Sequence, residues 1–215
     1  MTGHPFCKLV WENQYHLRKE TPVGDLVMKI DEIKRRARKN MEDGAVTQGY
    51  RADRTKVLKL LNDSLATEIV CVLRYQRHYR MASGIHSESV AAEFLEHSKE
   101  EMQHVDWLAE RIVQLGGEPD YNPATLMNRA HTDYVECDSL LEMIQEDLVA
   151  ERIVIELYGE MIRFVGNDDP TTRRVFEKIL ADEEEHAEDL ASLLVQMNAG
   201  STRDRRSKDA THSAA

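Results

Sequence analysis

The sequence is poor in cysteine, and no long apolar run interrupts its charged residues. Its three cysteines, Cys7, Cys71 and Cys137, are too few and too dispersed for a disulfide framework or a zinc ribbon. It also has neither the roughly 20-residue apolar stretch of a membrane-spanning helix nor the apolar core of a secretory leader. We therefore expect a cytoplasmic protein with no membrane partner, whose cysteines are reduced and mostly packed.

Positive charge is scarce in the central part of the chain. The 215 residues carry a net charge of −11, and residues 51–200 alone carry −15. Such a body attracts cations and repels nucleic acid. Two basic runs near the ends, KIDEIKRRARKN and RDRRSK, predict a solvated helix face and a disordered tail. DNA binding through these ends is the disfavoured alternative.

Proline is also scarce, and its positions divide the chain. None of the five prolines falls inside four long segments with helical periodicity, at about 52–83, 87–115, 139–165 and 171–197. Each segment predicts a long helix, and a shorter polar helix is expected over about 25–41. The stretch GNDDPTTRR supplies a turn, an Asp cap and a first-turn proline for the last long helix.

The connections between the helices indicate the topology. The first and last pairs are joined by short turns, whereas GGEPDYNPATLMNRAHTDYVECD joins the second helix to the third. About 20 extended residues can return along a helix of about 45 Å. The sequence therefore predicts an all-α four-helix bundle of two antiparallel hairpins joined by a long crossover. We expect an extension with a short helix over 1–50, the bundle over 51–198 and a flexible polar tail over 199–215.

Acidic and imidazole side chains interrupt the apolar stripe of every long helix. The first and third helices each place one glutamate there, and the second and fourth each place Glu-x-x-His. The six residues are Glu68, Glu101, His104, Glu151, Glu183 and His186. In the run LADEEEHAED, Glu184 and Glu185 are expected to face solvent, unlike the glutamate before them.

Charge and spacing both predict that these six residues bind metal. Four buried carboxylates need compensation, because moving each charge out of water costs several kcal/mol. Two divalent cations would balance them. The pattern also occurs twice, with offsets of 82 or 83 residues between equivalent positions, which predicts a pseudo-twofold metal pair. A mixed oxygen and nitrogen ligand set suits iron or manganese better than structural zinc.

Several further residues have two interpretations. Tyr75 and Tyr158 are aromatic core residues or, less commonly, redox-active groups. Met102 lies beside the stripe and is an interface methionine or a haem ligand between subunits. Cys71 lies one turn beyond Glu68 and is expected to be a packed thiol. The spacing of the remaining histidines does not predict a ligand; they include His78, His86, His97 and His131.

The segments ATEIVCVLRYQRHYRM, EEMQH, EDLVAE and DEEEH resemble those of the ferritin superfamily, in particular bacterioferritin and Dps-like mini-ferritins. The resemblance covers about residues 52–197. It implies a di-iron site in which Glu101 and Glu183 bridge and the two histidines are terminal ligands. It also places Tyr75 near the first glutamate ligand, and Met102 where bacterioferritin binds haem b between two subunits.

The resemblance implies a ferroxidase that oxidises Fe(II) with O2 or H2O2 and stores Fe(III) mineral in a homo-oligomeric shell. A 12-subunit shell is favoured over 24 subunits, because the polar tail cannot bury the face of a fifth helix. Dps proteins place their metal site between subunits, whereas all six ligands here belong to one bundle. The alternatives are a rubrerythrin-like or catalase-like peroxidase, although Cys-x-x-Cys is missing, and a DNA-protecting nucleoid protein.

Overall fold

The computed structural model describes residues 23–84 and 87–212, with side chains for residues 29–84 and 87–197. This part of the chain is helical and contains no β-strand. Its elements are α1 (Val23–Arg36), a 3-10 helix (Met41–Asp43), α2 (Arg54–Met81), α3 (Ser87–Gln114), α4 (Leu126–Arg129), α5 (Leu140–Val165) and α6 (Pro170–His212). Cys7 and His86 lie outside the described residues. The chain divides into two compact units at Gly49, and α2 to α6 belong to the second.

Local sequence signals start the long helices. The Asp53 side chain accepts a hydrogen bond from the backbone N–H three residues on, at 3.2 Å, and so caps α2. Ser139 and Glu142 form a complete capping box at the start of α5. Asp169 caps α6, and Pro170 occupies its first position, where a missing N–H costs no helical hydrogen bond. The predicted Asp cap and first-turn proline are confirmed.

The four long helices form a bundle of two hairpins. Helix α2 packs against α3, and α5 packs against α6. Between the hairpins, Tyr75 contacts Glu151 and Glu68 contacts Tyr158, so α2 and α5 run in opposite directions. The predicted all-α four-helix bundle with antiparallel hairpins is therefore confirmed.

The crossover between the hairpins lies along α2. Near its start, the backbone N–H of Asp120 donates to Asn62 Oδ1 at 2.8 Å. Near its end, His78 Nε2 lies 3.0 Å from the carbonyl oxygen of Val135. The crossover thus follows α2 in the direction of that helix, carries α4 with it, and returns the chain to the start of α5.

Two helix ends differ from the predicted ones. Helix α1 ends at Arg36 rather than near residue 41, because Asn40 adopts a left-handed backbone with φ of 50°. The backbone of α6 continues to His212, into the segment predicted to be a flexible tail from residue 199. A single interior glycine costs a helix only about 1 kcal/mol, so Gly200 need not end it. None of the described helices is long and apolar enough to span a bilayer.

Apolar layers enclose the middle of the bundle on both sides. The layer towards the C-terminus of α2 contains Tyr75, Val90, Phe94, Ile144 and Leu190. The layer towards its N-terminus contains Leu61, Leu108, Ile112, Phe176 and Ile179, all fully buried. The stripe residues predicted to bind metal lie between these layers, where water has little access.

Candidate metal centre

All six predicted residues meet in the middle of the bundle. They are 0–2 % exposed. Glu68, Glu101, His104 and Glu183 each offer one ligand atom, and these four atoms lie within 4.8 Å of one another. A second group within the same limit contains Glu101, Glu151, Glu183 and His186. We call these residues the six-residue cluster: Glu68, Glu101, His104, Glu151, Glu183 and His186. Glu184 and Glu185 are exposed, as predicted.

Two glutamates belong to both groups. If each group held one cation, Glu101 and Glu183 would be ligands common to both, and each of the other four residues would serve one. The Nδ1 atoms of the histidines face these shared carboxylates. His104 Nδ1 lies 3.4 Å from Glu101 and 3.3 Å from Glu183, and His186 Nδ1 lies 3.5 and 3.4 Å from the same two residues.

The outward nitrogens of the two histidines are held by acids that the sequence analysis missed. His104 Nε2 lies 3.2 Å from Asp182 Oδ2, and His186 Nε2 lies 2.8 Å from Glu100 Oε2. Each acid directly precedes the shared glutamate of its own helix and holds the histidine of the other helix. The signal was present in the sequence, since the two acids repeat with the offset of 82 residues that the histidines have.

The two tyrosines form the same crossed arrangement between α2 and α5. The Tyr75 hydroxyl donates to Glu151 Oε1, and the Tyr158 hydroxyl donates to Glu68 Oε1. Each tyrosine therefore fixes the carboxylate of the other hairpin. Both rings are buried in the apolar layers, so they are core residues with a polar end at the cluster.

The four carboxylates form two pairs whose pKa values are shifted in opposite directions. Burial, and then the charges of Glu101 and Glu183, raise the pKa of Glu68 and of Glu151 well above the ordinary value. Burial also acts to raise the pKa of the two shared glutamates. Close polar contacts with the imidazoles and the neighbouring glutamates outweigh it and lower their pKa.

The same contacts raise the pKa of the two imidazoles. Burial alone would lower the pKa of His104 and His186. Close contacts with the carboxylates of Glu101 and Glu183 raise it, to about 12 for His186 and well above the ordinary range for His104. Protons on Glu68, Glu151 and both histidines, the groups whose pKa is raised, would balance the charge of the four carboxylates. Two divalent cations carry the charge of those four protons, so the exchange leaves the cluster neutral.

The hydrogen bonding of the cluster also fits two cations. Within the described part of the chain, both carboxylate oxygens of Glu101 and Glu183 lack a hydrogen-bond partner, as do Glu151 Oε2 and His186 Nδ1. A buried polar atom left unsatisfied costs about 1–3 kcal/mol. All these atoms are electron-pair donors that face the centre, and carboxylate with imidazole is a ligand set suited to iron or manganese.

A buried ion network supports one side of the cluster. Arg74 Nε lies 2.8 Å from Asp147 Oδ1, and His78 Nδ1 lies 2.8 Å from Asp147 Oδ2. All three side chains are at most 1 % exposed. Asp147 and Arg74 were missed in the sequence because one aspartate and one arginine on long helices have no distinctive spacing.

The structure places the other singled-out residues as follows. Met102 is 46 % exposed and borders a surface cavity with Val72 and Lys99. Cys71 is buried, and its Sγ lies 3.7 Å from the hydroxyl of Thr132 in the crossover, as expected of a packed thiol. Cys137 is half-buried against the apolar layer. His97, which was not singled out as a ligand, stacks on His186 with ring centroids 4.1 Å apart.

Comparisons with known proteins identify the family of the chain. The model of the ferritin-like domain family matches residues 58–199. Bacterioferritin from Mycobacterium avium is 31% identical over 144 residues, which cover 66% of this chain and 86% of that protein.

Two solved structures extend the comparison. One is the dodecameric thioferritin from Bacteroides fragilis, a bacterioferritin-related protein, with a TM-score of 0.69, 28% identity, and coverage of 71% of this chain and 92% of that one. The other is Rhodobacter capsulatus bacterioferritin with a metal-free dinuclear site and haem iron, with a TM-score of 0.59, 25% identity, and coverage of 69% and 89%. The family match covers the helices that carry the six-residue cluster, and the chain therefore belongs to the ferritin-like family, with bacterioferritins among its relatives.

Proposed function

We propose that this protein is a ferroxidase that oxidises Fe(II) with O2 or H2O2 at the six-residue cluster and stores Fe(III) as mineral inside an oligomeric shell. The observation that carries the proposal is the convergence of four buried carboxylates and two imidazoles into two groups that share Glu101 and Glu183. The bacterioferritin relatives support iron storage at the level of the family. Two Fe(II) ions supply one electron each, which reduces one O2 to H2O2 or one H2O2 to two water molecules.

The protein contributes binding and orientation to this reaction. Carboxylates stabilise Fe(III) over Fe(II), so the four glutamates favour the oxidised product. Tyr75 and Tyr158 donate hydrogen bonds that hold Glu151 and Glu68 in position. The acids behind the two histidines fix each imidazole with Nδ1 directed inwards, as outer hydrogen bonds do at many metal sites. A redox role for Tyr75 stays a prediction beside this positioning role.

We also propose that the protein assembles as a shell of 12 subunits rather than 24. The support is the dodecameric relative from Bacteroides fragilis, and an α6 backbone that continues through residues 199–212 instead of forming a separate fifth helix. The net charge of −15 over residues 51–200 would draw cations towards such a shell. The exposed Met102 is the residue we assign to haem b between subunits, by likeness to bacterioferritins.

The alternative functions have less support. A rubrerythrin-like or catalase-like peroxidase would use the same cluster, but the sequence contains no Cys-x-x-Cys electron-transfer module. A DNA-protecting role would rest on the basic runs of the extension, residues 1–50, and the tail, residues 199–215. The acidic bundle between them, residues 51–198, opposes it.

Substitution of the two shared glutamates tests the proposal. Glu101→Ala combined with Glu183→Ala removes the ligands common to both groups, and rapid iron oxidation should be abolished. The measurement is Fe(III) absorbance after Fe(II) is added in air, with circular dichroism and light scattering to check fold and assembly. Glu184→Ala, an exposed neighbour, is the control and should oxidise iron as the wild type does. Unchanged kinetics in the double variant would refute the assignment.

A further inference from the structure

A second group of metal-ligating side chains lies on the α3–α6 face, outside the six-residue cluster. Glu93, His97 and Asp189 each offer one ligand atom, and these atoms lie within 4.8 Å of one another. His97 Nε2 is 3.6 Å from Glu93 Oε1 and 3.8 Å from Asp189 Oδ2. Neither distance is that of a hydrogen bond, although both oxygens face the nitrogen.

The hydrogen bonding of His97 determines which of its nitrogens carries the proton. The Tyr75 hydroxyl donates its hydrogen to Glu151, so its oxygen can only accept from the histidine. His97 Nδ1 lies 3.3 Å from this oxygen and is therefore the donor. In the neutral imidazole this leaves Nε2 with a lone pair and no hydrogen. That lone pair points towards two carboxylates, which are also acceptors.

Three acceptors that face one another repel unless a proton or a metal cation lies between them. His97 is 1 % exposed, and its Nε2 has no hydrogen-bond partner among the described residues. A buried atom of this kind is costly unless something binds it. The side chains of Glu93 and Asp189 are 36 % and 46 % exposed, so the same place is open to solvent on one side. A cation can therefore reach this place directly from solvent.

We propose that Glu93, His97 and Asp189 form a third, mononuclear site for a divalent transition-metal cation. One imidazole nitrogen and two carboxylate oxygens, with open positions towards water, suit Fe(II), Mn(II) or Co(II). The site is joined to the six-residue cluster in two ways. The His97 ring stacks on His186, and its Nδ1 contacts the tyrosine that holds Glu151. Its existence does not depend on ferroxidase activity, because the argument uses only the local contacts of His97.

Cobalt binding to the full chain tests this site. Co(II) is the probe, because it binds the same ligands and does not oxidise in air. Equilibrium dialysis with metal analysis should give about three ions per chain for the wild type. Glu93→Gln combined with Asp189→Asn should lose one ion and keep the other two. Both substituted side chains are partly exposed, so the fold should persist, and circular dichroism checks it. Glu184→Gln with Glu185→Gln removes the same charge from a solvent-facing position and should keep all three ions.

A variant of the cluster separates this proposal from the proposed function. Glu101→Gln with Glu183→Gln should retain the single Co(II) ion at Glu93, His97 and Asp189. Anomalous scattering from Co(II)-soaked crystals then locates that ion within coordination distance of His97 Nε2. If the Glu93→Gln/Asp189→Asn variant binds as many ions as the wild type, or if no anomalous peak lies beside His97, the third site is refuted. If instead the cluster variant loses no ion, the proposed ferroxidase site fails and the third site stands.

Discussion

Removal of the Glu100 carboxylate should weaken only one half of the six-residue cluster. Glu100 is the hydrogen-bond partner of His186 Nε2, at 2.8 Å, and its side chain is 48 % exposed. Glu100→Ala therefore leaves no buried cavity. It removes the acceptor that keeps the ring proton on Nε2, so that the imidazole is oriented from outside mainly by its stacking on His97. Loss of such outer partners typically weakens metal binding about 10-fold to 100-fold.

The structure indicates which of two equivalent substitutions, Glu100→Ala and Asp182→Ala, should weaken metal binding more. His186 Nε2 lies 2.8 Å from Glu100, whereas His104 Nε2 lies 3.2 Å from Asp182 and His104 Nδ1 faces Glu68 as well as the two shared glutamates. The orientation of His186 therefore depends more on its outer acid. We expect about 100-fold weaker binding of one ion for Glu100→Ala, which corresponds to about 2.7 kcal/mol. For Asp182→Ala, whose contact is 3.2 Å long, we expect about 10-fold.

Cobalt titration followed by visible absorbance measures this effect. The Glu93→Gln/Asp189→Asn background leaves the dinuclear cluster as the intended site. When Glu100→Ala is added to this background, the titration should show two well-separated phases. One phase should keep the Co(II) affinity of the background variant, and the other should be weaker. Glu184→Ala controls for the loss of one surface charge. The reasoning is refuted if this control weakens binding as much as Glu100→Ala does, or if both ions of the cluster weaken equally.

Two further predictions concern protons and stability. Protons on His104 and His186 must leave before a cation binds, so the affinity for Co(II) should rise between pH 6 and 8. Calorimetry in buffers of different ionisation enthalpy measures the protons that are released on binding. Affinity that is independent of pH would contradict this prediction. Asp147→Ala leaves the buried charge of Arg74 unpaired and should lower the free energy of unfolding by about 3–5 kcal/mol in urea denaturation. Ser64→Ala, which removes a contact from the equivalent position, should cost less than about 1.5 kcal/mol, and equal losses would contradict the argument.

The sequence predicted what depends on periodicity. Residues at steps of three and four share a helix face, so Glu68 and the Glu-x-x-His pairs could be assigned to the interior without coordinates. The length of the crossover limited the topology because a short loop cannot return along a long helix. These inferences need only the geometry of a single helix or the reach of a chain, and the structure agrees with them.

Contacts between helices were beyond such inference. The sequence does not show that Tyr75 reaches Glu151 rather than Glu68, since that depends on the stagger of α2 against α5. His97 gave no signal, because its partner Asp189 lies on another helix at a separation set by packing. The end of α6 also differs from the predicted one: the backbone stays helical to His212, although the polar composition of residues 199–212 is typical of a tail.

The pseudo-twofold relation between the hairpins includes the six ligands and the two tyrosines, but the residue types differ at the equivalent positions around them. An offset of 83 residues relates Glu68 to Glu151 and Tyr75 to Tyr158, and it also relates Ser64 to Asp147 and His78 to Met161. At one side, therefore, an aspartate binds a histidine and Arg74, and at the other a serine hydroxyl lies 3.3 Å from a methionine sulfur. Fixed charges surround the Glu151 half of the cluster, and neutral groups surround the Glu68 half. Equivalent ligands in unequal fields do not bind equally, so two cations bound here would occupy chemically distinct positions even though the sequence repeat makes their ligands the same.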